Sequence, residues 1–238
     1  MSTLGAADIS MGSALKILLK QVPIVEKLFA EDYALQTHEI IMIKIRMPRV
    51  ILSAVIGMGL SVVGAAFQGM FKNPLATGEA IGLTSGATLL AAIAIVLGHT
   101  FEEYLPEIVR NSLVGVSAFI GALLAMIIVY RISTSDGKTN VVMMLLSGVA
   151  ITSIGFSITG FLIYISKDEQ LRDLTFWNLG SLAAATWTKN IILTIVLILS
   201  YLIILPKGKA LNAMMLGEKD AEHLGINVET LKKQIVVL

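Results

Sequence analysis

The chain has 238 residues, of which 55% are hydrophobic and only 15% charged, with a net charge of +1. A soluble domain normally carries about 25% charged residues, so this composition excludes an ordinary soluble surface. The near-neutral balance points to no nucleic-acid partner, and the absence of cysteine excludes disulfides, thiolate metal sites and a cysteine nucleophile.

Residues 1–30 contain no apolar run of the signal-peptide kind. They are amphipathic instead, with Met11, Leu15, Leu18, Leu19, Val22, Val25 and Phe29 at helical spacing beside Lys16, Lys20 and Lys27. Two readings stay open, a helix on a membrane surface and a helix packed on a loop, because both need the same one-sided apolar spacing.

Five apolar spans without a charge follow: Val50 to Phe71, Ala80 to Gly98, Leu113 to Tyr130, Val141 to Ser166, and Asn190 to Leu205. The first, as a helix, reaches about 33 Å, enough to cross a hydrocarbon core of about 30 Å. A semi-polar stretch from Phe176 to Thr188 precedes the fifth, and its Trp177 and Trp187 suit a membrane interface. The connections are too short to hold a folded domain. Small residues predict close helix contacts: Gly57, Ser61, Gly64 and Ala65 in the first span, Gly82 and Gly86 in the second, and Gly148, Thr152, Gly155 and Gly160 in the fourth.

Lys72, Arg131, Lys138, Lys207 and Lys209 put three span exits on the cytoplasmic side, with the acidic loop of Glu102, Glu103 and Glu107 outside. Lys44, Arg46 and Arg49 then fall outside, against the positive-inside rule. The three either reverse the topology or act specifically there, and for Arg46 and Arg49 the residues alone favour snorkelling to lipid phosphates.

Enzymatic chemistry finds no footing. Asp136-Gly137-Lys138-Thr139 ends like a phosphate-binding loop, but the required upstream glycine is Ile132, so the segment reads as a polar turn. His38, His99 and His223 lack ligand spacing. No ionisable residue lies within a span, which argues against an ion-coupled pump and for energy supplied by another subunit. Neither a catalytic group, a metal site nor a cofactor is expected in this chain.

Several ordered motifs carry a resemblance. They are Arg46-Met47-Pro48-Arg49-Val50, Gly64-Ala65-Ala66-Phe67-Gln68-Gly69, Asn73-Pro74-Leu75-Ala76 and Ile81-Gly82-Leu83-Thr84-Ser85-Gly86-Ala87. Leu146-Ser147-Gly148-Val149-Ala150, Phe176-Trp177-Asn178-Leu179-Gly180-Ser181 and Leu216-Gly217-Glu218 to His223-Leu224-Gly225 continue the set along nearly the whole chain. Together they resemble the FecCD family, permeases of type II ABC importers for iron–siderophore complexes, haem and vitamin B12.

The resemblance implies an all-α polytopic transmembrane bundle, multi-pass in the cytoplasmic membrane. The five spans would be the second to sixth of a ten-span permease. The chain is accordingly expected to be a fragment that begins after the first span and stops at the seventh, with an inactive truncated permease as one alternative and an ion-coupled secondary transporter as another. Within one partial permease domain, 1–238, residues 1–45 would be an external amphipathic segment, 50–205 the spans, and 206–234 a cytoplasmic coupling loop. Implied partners are cytoplasmic ABC ATPases, an extracytoplasmic substrate-binding protein, a second permease chain and the lipid bilayer. Arg46 and Arg49 would face outward to meet glutamates of the binding protein. Asn73, Leu75 and Ser147 would lie at the gate or pathway. Leu216, Gly217, Glu218, Ala221, Leu224 and Gly225 would meet the ATPase.

Overall fold

Long uncharged segments have one low-energy form away from water: a helix that satisfies its own backbone hydrogen bonds. A computed structural model describes residues 9–20, 33–98, 106 and 112–237. Helix α1 is Met11–Lys20 and α2 is Tyr33–Ile40, which continues through a π-helical segment, Ile41–Arg46, into α3, Met47–Phe71. A 3₁₀ turn, Gly78–Ile81, leads into α4, Leu83–Leu97. Helix α5 is Leu113–Ser133, and a two-stranded hairpin, β1 (Thr134–Ser135) and β2 (Lys138–Thr139), joins it to α6, Val141–Ile165. Then come α7 (Asp168–Leu179), α8 (Trp187–Ile204), α9 (Gly208–Leu216), α10 (Glu218–His223) and α11 (Val228–Val237). His99 and the acidic loop of Glu102, Glu103 and Glu107 lie outside the described residues.

Among the described residues, four helical stretches are long and apolar enough to cross a membrane: Thr37–Phe71, Leu113–Ser133, Val141–Ile165 and Trp187–Leu216. The second expected span is the difference. Its helix does not run from Ala80, because Gly82 adopts a left-handed φ of 79° and separates the 3₁₀ turn from a 15-residue α4. At about 1.5 Å per residue, α4 reaches only about 22 Å.

The contacts divide the chain into two compact units, Met1–Leu60 with Ser181–Tyr201 and Ser61–Gly180 with Leu202–Leu238. In the first unit, Ala14 and Ile17 of α1 are buried with Met42 of the π segment, and Lys20 pairs with Glu39 at 3.1 Å. Met11, Leu15, Leu18 and Leu19 are exposed, and it is Ala14 and Ile17 that face the π segment.

In the second unit α4 lies against α5 and α6 through small residues. A Cβ on Gly86 would strike the Gly121 carbonyl of α5, and one on Gly148 would strike the Ala80 carbonyl. One on Gly155 would lie 3.2 Å from the Ser85 Cβ. These glycines allow backbones to approach where lipid supplies no hydrophobic drive. Gly57, Gly64 and Gly160 differ from expectation: among the described residues an added Cβ meets no atom within 4 Å there. Helix α7 is fastened to α4 by Gln170, whose amide nitrogen donates to the Val96 carbonyl at 3.0 Å while its oxygen accepts from the Lys167 N–H. A separate core gathers the C-terminal end of α3, the hairpin ends of α5 and α6, and α9 to α11 around Phe67, Met70, Val129, Met144 and Met214.

Candidate functional site

The hairpin forms because Asp136 and Gly137 both take positive φ, 51° and 74°, as a two-residue turn requires. This is the turn expected from the failed phosphate-loop motif. Asn140 then caps α6, its side-chain oxygen accepting from the Val142 and Met143 N–H groups at 2.9 and 3.1 Å.

The C-terminal segment folds over this corner in short helices. Gly217 separates α9 from α10 with φ 147° and ψ 150°, a backbone region essentially confined to glycine. Gly225 closes α10: with φ 80°, its N–H reaches the Glu222 carbonyl and the Ile226 N–H reaches Ala221, the paired bonds of a Schellman motif. Ala221 is fully buried against the core, whereas Leu216 and Leu224 are 73% and 66% exposed.

At the centre lies Lys232, only 1% exposed. Its ammonium donates to the Thr139 carbonyl at 2.7 Å, to Glu218 Oε2 at 2.8 Å and to Glu229 Oε1 at 3.1 Å. Glu229 Oε2 accepts from the Thr139 N–H at 2.7 Å. Burial pushes the Glu229 carboxyl upward, but the Thr139 N–H and the Lys232 ammonium outweigh it and hold the group below its ordinary value. This cluster borders a groove of about 500 Å³ lined by Lys72, Lys138, Lys219, Glu218, Glu222 and Glu229, among others.

Asn73 and Leu75 stand at the end of α3, beside Lys72 on the groove rim. Lys72 itself takes the left-handed position, φ 50°, of a second Schellman motif, with the Asn73 N–H reaching the Gln68 carbonyl. Asn73 Oδ1 accepts from the Leu75 N–H at 2.9 Å, and Leu75 is 84% exposed. Ser147 is buried between α5 and α6, sharing a 3.1 Å hydrogen bond with Ser133 and donating to the Met143 carbonyl.

Arg46 and Arg49 belong to the other unit. The Met47 N–H bonds to the Met42 carbonyl in the π register, and Pro48, which has no N–H, cannot bond the next carbonyl, that of Ile43. Trp187 fills the gap, its indole N–H donating to Ile43 at 3.0 Å. Asn190 donates to the Pro48 carbonyl at 2.9 Å, and Arg49 to the Ala183 carbonyl at 3.1 Å. Arg46 is half-buried and Arg49 exposed.

Structure thus gathers Gly217, Glu218, Ala221 and Gly225 on one corner and keeps Arg46 and Arg49 in another unit. Sequence reasoning missed Lys232, Glu229 and Thr139. One signal was present: Val228, Leu231, Lys232 and Ile235 occupy one helical stripe, so the lysine sits where an apolar residue is expected.

Residues 2–238 match the model of the FecCD transport family. The chain is 35% identical over 198 residues to the hemin transport system permease protein of Yersinia pestis, covering 83% of this chain and 58% of that one. It is 33% identical over 205 residues to the cobalamin import system permease protein of Halobacterium salinarum, covering 85% and 52%. A solved structure described as an inward-facing metal-chelate type ABC transporter superposes with a TM-score of 0.70 at 25% identity, over 94% of this chain and 69% of that chain. The chain spans somewhat over half the length of the curated relatives it matches.

Proposed function

The chain belongs to the FecCD transport family, and from that premise we propose that it serves as the permease part of an ATP-driven importer in the cytoplasmic membrane. It is a multi-pass membrane protein, and its uncharged runs, such as Val50 to Phe71 and Val141 to Ser166, carry no Asp, Glu, Lys or Arg. The cargo class is a large metal chelate or related cofactor: an iron–siderophore complex, haem or cobalamin. The observation that carries this reading is the family match across residues 2–238. Transport proceeds by alternating access, with hydrolysis on a separate ATPase, and a second permease chain completes the path.

Each partner has a face. The exposed Leu216 and Leu224, set on helices held at fixed angles by Gly217 and Gly225, offer the ATPase an apolar contact on a rigid support. The convergence of Lys72, Arg131, Lys138, Lys207 and Lys209 around the ends that form this core supports a cytoplasmic position. Arg46 and Arg49 meet carboxylates of an extracytoplasmic binding protein, and the Ala183 carbonyl steadies the Arg49 fork. Asn73 and Leu75 lie at the cytoplasmic gate, with Ser147 on α6.

Reconstitution in vesicles with the ATPase and binding protein tests the reading, using uptake of haem, cobalamin and a ferric siderophore as the measurement. ATP-dependent uptake of one of them is expected. Uptake driven by a proton or sodium gradient without the ATPase would overturn it. Gly217→Pro in the same system addresses the coupling face, because proline can adopt neither the φ of 147° nor the N–H bond to Met214. Uptake and ATPase stimulation should fall together while membrane insertion persists.

A further inference from the structure

Lys232 presents three ammonium protons, and three acceptors from three elements take them: Thr139 of the hairpin, Glu218 at the start of α10, and Glu229 one turn earlier on α11. Glu229 also holds the Thr139 N–H. Both backbone polar groups of Thr139 are therefore tied to the C-terminal segment. We propose that Lys232 is a positioning residue that latches the α5–α6 hairpin to the ATPase-facing helices, so that the ends of α5 and α6 move as one body with the segment the ATPase engages. The inference rests on the importer reading above.

Two physical points favour a positioning role over simple stabilisation. First, a buried ammonium loses its hydration, and the loss is offset only when all its donors are used in good geometry. An apolar residue on this stripe beside Val228, Leu231 and Ile235 would fill the same space without that demand. Replacement of a complete buried ion pair by packed apolar groups is often neutral or stabilising, so stability alone does not explain the lysine. Second, apolar contacts tolerate sliding, whereas three directional bonds define one register between elements. The acceptors are two carboxylates on the C-terminal segment and one carbonyl on the hairpin. Motion of α10 is thus passed to the hairpin through Lys232 instead of being absorbed by slippage between packed methionines and leucines.

The test compares the importer carrying Lys232→Met with the unaltered one, reconstituted with its ATPase and binding protein. Methionine keeps an unbranched apolar stem, one atom shorter than lysine's, and removes the bonds. Insertion, ATPase assembly and binding-protein-stimulated hydrolysis should persist, while substrate imported per ATP falls about tenfold, within the range expected when one coupling free energy is lost. Hydrogen exchange at the Thr139 amide should quicken in the same variant. A merely structural role predicts the reverse pattern: assembly, hydrolysis and uptake decline together, with substrate per ATP unchanged. That result overturns the latch. Should Lys232→Met fail to assemble, Glu229→Gln answers by the same ratio, since it weakens the hold on Thr139 while Glu218 still neutralises the buried amine. An unchanged ratio in Glu229→Gln then overturns it too. The unaltered importer separates the two levels: failure to bind the ATPase sinks the importer reading, whereas normal coupling beside an unchanged variant ratio sinks only the latch.

Discussion

The indole N–H of Trp187 donates to the Ile43 carbonyl, the acceptor that Pro48 leaves unserved one turn below Arg46 and Arg49. A π segment, a proline and a tryptophan far along the chain thereby become one unit. Trp187→Phe keeps an aromatic ring and removes the donor together with the pyrrole part of the indole. It should destabilise the protein by at least about 1 kcal/mol, the usual net worth of such a bond, and by more for the packing lost with it. Thermal unfolding in detergent measures this, and Trp187→His, which restores an N–H, should recover part of it.

Close backbone approach of α4 and α5 makes a second expectation. Gly86→Val would drive its side chain into the Gly121 carbonyl and Ala125 Cβ. Because the obstacle is backbone, the helices must separate, at a cost of about 1–3 kcal/mol. Gly64→Ala, where the added Cβ meets nothing within 4 Å, should leave the midpoint unchanged within this chain. Equal loss in the two variants would contradict the packing described for α4.

Arginine docking and lipid snorkelling give different outcomes at Arg46 and Arg49. Lysine would replace arginine readily as a lipid anchor, but it cannot reproduce a two-bond carboxylate fork. Arg46→Glu with Arg49→Glu should abolish binding-protein association while expression and insertion persist, a loss of about 2–5 kcal/mol if the pairs are desolvated. Affinity of the unaltered pair should fall as salt is added. Reversal of the partner's glutamates should restore part of the binding. Titration of the two purified partners at several ionic strengths checks each point.

Acid should loosen the Lys232 cluster only well below neutrality. The folded-state pKa of Glu229 is depressed, so its contribution is fully present above the ordinary value of 4.5 and is lost as pH falls through the lower folded value. The groups facing it are the Lys232 ammonium and the Thr139 backbone, with Lys138, Lys219, Glu218 and Glu222 along the same groove. Hydrogen exchange at Thr139 should therefore be flat from neutral pH to about pH 5, after correction for the intrinsic rate, and quicken at lower pH. Glu229→Gln should remove this acid step.

How much could be read in advance follows from what each feature depends on. Span existence was legible because an uncharged run such as Val141 to Ser166 has no favourable state but a helix in an apolar phase, whatever surrounds it. Family membership was legible for a similar reason, since short motifs such as Arg46-Met47-Pro48-Arg49 keep their order without reference to contacts. The Asp136-Gly137 turn likewise needs only its own backbone. Tertiary structure decided the rest. The break at Gly82 depends on how closely the chain meets Gly148 and Ile151 there, which hydropathy does not encode. Which face of α1 is covered depended on Met42, not on the size of its own leucines. Lys232 is the clearest case: a lysine in a polar tail reads as solvated until Thr139, 93 residues away, supplies the carbonyl that makes its burial tolerable. Local and periodic terms are carried by neighbouring residues and so survive in one dimension, whereas the cost of burying a charge is settled only by partners that folding brings to it.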